Sequence, residues 1–285
     1  TRRSSDLSIP SVDSLRSIWS YARYSIPGGF VGTAQHRIDR ILLGFLVSTT
    51  AVGNYEVAMK LTLPAMFIAG VAQDGLMGRI SNLQSRGEEF AADVRRNLGF
   101  ASLIGIPLFF GALVMAEPVI VTLYSNQYAS AAPFLIGLAF FRLLRTQKSI
   151  LVAVINGLDR PDLNLRVSTV VFGFNIVAGL AGLYAIGPIG VVVATILSEV
   201  IGYGVRGYIV RSIVPSVRFL PRPLLDQLAS GAVMAVTVYA ARLTLPLQSW
   251  YYVMFVVAIG GLTYLTVLVG ISEYFRSTVR GIAAD

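Results

Sequence analysis

Hydrophobic runs near or beyond twenty residues alternate with short polar connections along almost the whole of this chain. The runs are continuous rather than alternating in polarity, which favours membrane-spanning helices over barrel strands. The pattern predicts helices at 15–46, 53–82, 96–123, 131–157, 164–186, 189–211, 223–244 and 248–271, about eight spans. Pro27 with Gly28 and Gly29 falls inside the first, and Pro64 and Pro107 fall in the next two. A proline removes a backbone donor and its ring clashes with the preceding turn, so these are expected kink points.

The same runs carry groups that lipid does not tolerate. A charge near the bilayer centre costs at least ~2.5 kcal/mol, so such residues face a neighbouring helix or a water-filled cavity. At about 100° per residue they fall into stripes. Thr33, Arg37, Arg40, Gly44 and Ser48 line one face of the first helix; Glu56, Lys60 and Asp74 share a face of the second. On the fourth, Arg142, Arg145, Thr146, Ser149 and Asn156 fall within about a third of the circumference, and on the sixth Thr195, Glu199, Tyr203 and Arg206 line up. The basic groups Arg37, Arg40, Lys60, Arg142 and Arg145 outnumber nearby acids and suit an anion such as a phosphate. The competing reading is a structural ion pair, for instance Arg142 with Glu199. His36, beside Arg37, is expected to be a packed polar residue.

Composition agrees: 55% of the 285 residues are hydrophobic and 13% charged, with mean hydropathy +0.69, whereas soluble domains carry ~25% charge. The net charge of +8 sits in short connections. Arg86, Arg95 and Arg96, then Arg160 and Arg166, then Arg211, Arg218 and Arg222 mark every second connection, and the intervening ones at 47–52, 124–131 and 187–189 have neither Lys nor Arg. The positive-inside rule then makes the 81–97 connection and both termini cytoplasmic, in a multi-pass protein of the cell membrane. No basic face on a soluble domain exists to bind nucleic acid. With no cysteine and one histidine, disulfides and thiolate or histidine metal centres are not expected, and no cofactor is implied. No signal peptide is seen at the start, and residues 1–14 read as a polar cytoplasmic linker. Trp19, Tyr21 and Tyr24 near one boundary and Trp250, Tyr251 and Tyr252 near the other suit interfacial aromatic belts.

Several segments carry a family resemblance. Ile38-Asp39-Arg40-Ile41-Leu42-Leu43-Gly44 followed by Ala51-Val52-Gly53-Asn54-Tyr55-Glu56-Val57-Ala58 resembles the signature of polysaccharide-biosynthesis flippases. These are MATE-like proteins of the multidrug, oligosaccharidyl-lipid and polysaccharide exporter superfamily. Leu123-Tyr124-Ser125-Asn126-Gln127-Tyr128, Ile155-Asn156-Gly157-Leu158-Asp159-Arg160-Pro161, Asn175, and Gly187-Pro188-Ile189-Gly190 leading to Glu199 agree in order and spacing. Ser125 departs from the family, which often has Gly there.

The resemblance implies an all-α integral membrane fold of two six-helix lobes. Residues 15–212 correspond to the second lobe, and 213–285 to two additional helices and a cytoplasmic tail. It implies a missing N-terminal lobe, supplied by the same or another chain. The implied activity is alternating-access transport, without enzymatic chemistry, of a polyprenyl- or dolichyl-(pyro)phosphate-linked glycan from the cytoplasmic to the outer leaflet. On that reading Arg37, Arg40, Lys60, Arg142 and Arg145 bind the phosphate, and Asp39, Asp74 and Glu199 are candidates for ion coupling. The alternatives are a multidrug/cation antiporter of the same superfamily, a membrane-embedded transferase using Asp159 and Asp162, and a non-transporting fragment.

Overall fold

The computed structural model describes residues 12–217, 219–246 and 249–277. Ten α-helices and two short 3-10 turns account for its regular structure, and no strand occurs among the described residues. The helices are α1 (Val12–Leu46), α2 (Thr49–Leu61), α3 (Met66–Ser85), α4 (Ala91–Phe100), α5 (Gly105–Leu123), α6 (Ala132–Gly157), α7 (Pro161–Ile186), α8 (Ile189–Ile213), α9 (Arg222–Thr244) and α10 (Trp250–Ile271). The polar segment 1–11, Arg218 and Arg280 lie outside the described residues, as do the side chains of Tyr21 and His36.

Two of the expected continuous spans are broken. The second divides into α2 and α3 through the turn Leu63–Ala65, because Pro64 offers no amide to the preceding helical carbonyl. Thr62 closes the end of α2, its amide and hydroxyl both donating to the Met59 carbonyl at 3.2 and 2.7 Å. The third divides into α4 and α5 at 101–104, one turn ahead of Pro107. Carbonyls freed there are taken up by side chains from other helices. Gln147 Nε2 on α6 donates to Leu98 O at 3.1 Å and to Ser102 Oγ at 2.7 Å. Gln227 Nε2 on α9 donates to Gly99 O. Irregular backbone at membrane depth persists only where such partners exist. Pro27, by contrast, sits inside an uninterrupted α1, and α5 also carries Pro118.

The linked stretches α2–α3 and α4–α5 and the helices α7, α8, α9 and α10 are six units long and apolar enough to cross a bilayer. α1 and α6 are also long, at 35 and 26 residues, but more polar. Any bilayer-length window of α6 contains Arg142, Arg145 and Lys148. α6 accordingly takes the centre of the bundle, with 16 of its residues buried against α2, α3, α5 and α8. α7 and α8 form a tight hairpin beside it, turning at Gly187 with φ +73°. Gly182 and Gly190 touch there, a Cβ on Gly190 falling 2.0 Å from the Gly182 carbonyl oxygen. α1 packs on α7, while α9 and α10 pack on each other and on α4 and α5. Val170, Val177, Val236, Phe255 and Leu262 point outward from α7, α9 and α10, as lipid-facing positions should.

The turn between α5 and α6 contains a strained residue. Ser125 has φ +121° and ψ +168°, a region that essentially only glycine occupies without cost. Ser125→Gly is expected to raise stability by about 1 kcal/mol, read as a higher unfolding temperature in detergent, and an unchanged or lower temperature would show that the turn is not strained.

Candidate functional site

The polar stripes of α1, α3, α6, α7 and α8 enclose a cavity of about 320 Å³. Its walls include Tyr24, Gly28, Gly29 and Gly32 of α1, Gln73 of α3, Arg145, Lys148, Ser149 and Asn156 of α6, Asn164 and Ser168 of α7, and Arg206 of α8. The glycines of α1 meet nothing at the Cβ position, so that wall is bare backbone between Tyr24 and Gln35. Among the described residues, Arg145, Lys148 and Arg206 are the charged residues of the wall, all cationic.

Their placement follows from helix phase. A three-residue step turns about 60° short of a full revolution, so Arg142, Arg145 and Lys148 fan across α6 with Arg145 in the middle. Arg142 points away from the cavity and is 8% exposed. Its Nε donates to Thr62 Oγ1 at 3.3 Å and its Nη2 approaches Met59 Sδ at 3.0 Å. The break before Pro64 thus provides the hydroxyl that receives Arg142. Arg145 lies over the Phe141 ring at 5.8 Å, within cation–π range. Lys148 Nζ lies 2.7 Å from both carboxylate oxygens of Glu199. Arg206 is held by neutral groups: Nε donates to Asn164 Oδ1 at 2.9 Å, Nη2 to Ser168 Oγ at 2.7 Å and Nη1 to Gly202 O at 3.2 Å. Asn164 Nδ2 in turn donates to Asn156 Oδ1 at 2.7 Å.

A second polar cluster ties four helices together. Asp39 of α1 is 2% exposed, and its Oδ2 accepts from Tyr55 of α2 and from Thr195 of α8, both at 2.8 Å. Asn175 Nδ2 of α7 donates to Thr195 Oγ1 at 3.3 Å. Asp39 Oδ1 and Asn175 Oδ1 are buried without a hydrogen-bond partner. One is the second oxygen of the carboxylate and the other an amide oxygen of the same cluster, and buried groups of this kind call for an explanation.

The other sequence candidates sit elsewhere. Arg40 pairs with Glu56 across α1 and α2. Arg37, Lys60 and Asp74 are exposed, away from the cavity wall. Glu199 pairs with Lys148 rather than Arg142. Lys148 was missed as a site residue because it lies just off the stripe that links Arg142 to Asn156; its three-residue spacing from Arg145 was the available signal. Asp159 occupies the α6–α7 turn with φ +56°, and Asp162 meets Arg160 at 3.5 Å and Arg166 at 4.0 Å. Neither lines the cavity. A separate, wholly apolar cavity of about 310 Å³ lies among α5, α6, α9 and α10, walled by Leu108, Met115, Leu135, Met234, Val238 and Gly260 among others. No group of three or more histidine, aspartate or glutamate side chains able to hold a metal occurs among the described residues.

A helical bundle with lipid-compatible outer faces and a charged interior cavity defines a multi-pass membrane protein. Known proteins narrow this. A family model described as "Polysaccharide biosynthesis protein" matches residues 6–133. The probable flippase AglR of Haloferax volcanii is 26% identical over 283 residues, covering 97% of this chain and 59% of that protein. The probable low-salt glycan biosynthesis flippase Agl15 of the same organism is 23% identical over 266 residues, covering 93% and 56%. Among solved structures, the lipid II flippase MurJ in its inward closed conformation shares the fold with TM-score 0.69 at 17% identity, over 94% of this chain and 54% of that one. A MOP superfamily transporter from Pyrococcus furiosus matches with TM-score 0.55 at 17% identity, over 90% and 64%. The chain spans less than two thirds of each. The chain is thus similar to polysaccharide-biosynthesis and flippase proteins in sequence, and it shares the fold of the two solved structures.

Proposed function

We propose that this chain is one lobe of a flippase that carries a lipid-linked oligosaccharide or polysaccharide precursor from the cytoplasmic to the outer leaflet by alternating access, without converting it chemically. The observation that carries this reading is the cationic cavity of Arg145, Lys148 and Arg206 inside a bilayer-spanning bundle. A polyprenyl- or dolichyl-linked glycan has a phosphate or pyrophosphate to match it. Arginine suits this contact, since its planar fork donates paired hydrogen bonds to phosphate oxygens and keeps its charge when desolvated. A cation exporter or a transferase is less well served, because among the described residues no acidic side chain lines the cavity. The exposed Arg37, Lys60 and Asp74, with the Arg40–Glu56 pair, are assigned to the face that meets an N-terminal lobe in the same or another chain. Arg142 is assigned a supporting role, bracing the α2–α3 break next to Arg145.

Expressed in the complete transporter, Arg145→Gln should insert and fold but lose more than tenfold in affinity for the lipid-linked glycan, as removal of a hydrogen bond to a charged group costs about 1.5–3 kcal/mol. Normal translocation in that variant would refute phosphate binding at this wall.

The unpartnered oxygens of Asp39 and Asn175 favour Asp39, of the three acidic candidates, as a site for a coupling cation. Asp74 is exposed, and Glu199, whose Oε1 also lacks a hydrogen bond, already has the Lys148 ammonium 2.7 Å away to repel a further cation. Asp39→Asn should leave substrate affinity nearly unchanged and abolish the response of transport to imposed ion gradients and membrane potential. A variant that still responds to both would remove the coupling role.

The topology reading places both termini and the 81–97 connection in the cytoplasm of a cell-membrane protein. Cysteines introduced at the exposed Ser85 and Gln127 should react with impermeant reagent from opposite sides of the membrane; reaction from one side only would overturn this orientation.

A further inference from the structure

The three cations of the cavity wall are not equivalent. Arg206 spends its guanidinium on Asn164, Ser168 and the Gly202 carbonyl, all neutral. Lys148 instead meets a formal negative charge. Its ammonium lies 2.7 Å from both oxygens of Glu199, a fully buried carboxylate that does not itself line the cavity. Lys148 therefore stands between Glu199 and any occupant. An ammonium has three donors, and Glu199 Oε2 draws one of them back toward α8, while Oε1 adds its charge at 2.7 Å.

We propose that Glu199 is a built-in counter-anion that sets how tightly this cavity holds a phosphate headgroup, by competing with it for Lys148. The proposal rests on the phosphate reading of the cavity given above and deepens it. Three cations facing an anion in a low-dielectric bundle would bind strongly and release slowly, because charge–charge energies grow as water is excluded. One carboxylate behind the wall lowers the positive charge that an anionic headgroup meets. Because both partners sit on rigid helices, Lys148 on α6 and Glu199 on α8, the ammonium can lean toward the occupant and return to Glu199 when it leaves. A carboxylate that served only to neutralise Lys148 during folding would affect stability and leave the affinity untouched.

The test uses the complete transporter in nanodiscs and inorganic pyrophosphate as the titrant, followed by calorimetry, with glycan translocation measured in parallel. Glu199→Gln is expected to tighten pyrophosphate binding by about tenfold and to slow turnover at saturating substrate. Adding Lys148→Met to Glu199→Gln should abolish the gain. Glu199→Asp, which retracts the carboxylate by one methylene, should shift affinity the same way by a smaller factor, and it replaces Glu199→Gln if the latter does not fold. Unchanged or weaker binding in the folded variant, or a gain that survives Lys148→Met, would overturn the counter-anion role. If pyrophosphate binds the unaltered protein in an Arg145-dependent manner and Glu199→Gln does not tighten it, only this role falls. If the unaltered protein does not bind pyrophosphate and Arg145→Gln transports normally, the phosphate reading falls and takes the proposal with it.

Discussion

Three cations on one helix in a bilayer cannot be solvated by lipid, and the rest of the bundle is arranged around that constraint. α6 carries Arg142, Arg145 and Lys148 within two turns, and each exposed to hydrocarbon would cost at least ~2.5 kcal/mol. The protein solvates them in three different ways. Arg142 receives a hydroxyl from a broken helix, Lys148 receives a carboxylate from α8, and Arg145 faces a polar cavity across the Phe141 ring. Burying α6 in turn leaves α7, α9 and α10 at the periphery, where their apolar side chains belong.

Helix breaks and polar side chains are coupled in the same economy. A proline removes an amide and strands carbonyls, and at membrane depth those carbonyls need a donor. Gln147 and Gln227 reach the α4–α5 junction from two different helices, and the Ser102 and Thr146 hydroxyls bridge it at 2.7 Å. Gln147 directly precedes Lys148 in sequence. The residue that caps the break and the residue that faces the cavity are thus neighbours on one turn of α6.

Two acidic residues of the interior illustrate how environment separates roles that sequence cannot. Glu199 lies against a lysine ammonium, with one oxygen hydrogen-bonded to it and the other held at ion-pair distance only. Among the described residues Asp39 meets no cation at hydrogen-bond distance and accepts from two hydroxyls, while its other oxygen and the side-chain oxygen of Asn175 make no hydrogen bond. The two clusters are adjacent, since Thr195, which donates to Asp39, and Glu199 lie one turn apart on α8.

The class of fold was legible in the chain itself. Continuous apolar runs and low charge determine a helical membrane protein, because length and hydrophobicity decide membrane insertion locally, segment by segment. Proline positions marked where the second and third spans break, and the stripes placed Arg145, Asn156, Glu199 and Arg206 on polar faces for the same local reason. Which stripes meet was decided only by the tertiary structure. Asp39 and Thr195 are 156 residues apart, and nothing in the phase of either helix says that they touch. Arg37, Lys60 and Asp74 share polar faces with cavity residues or their neighbours yet end exposed, and Glu199 pairs with Lys148 rather than Arg142. Helix phase orients a side chain about its own axis, whereas its partner depends on how distant helices cross. That crossing is set here by close contacts such as Gly182 against Gly190 and by the burial of α6, both of which exist only once the chain has folded.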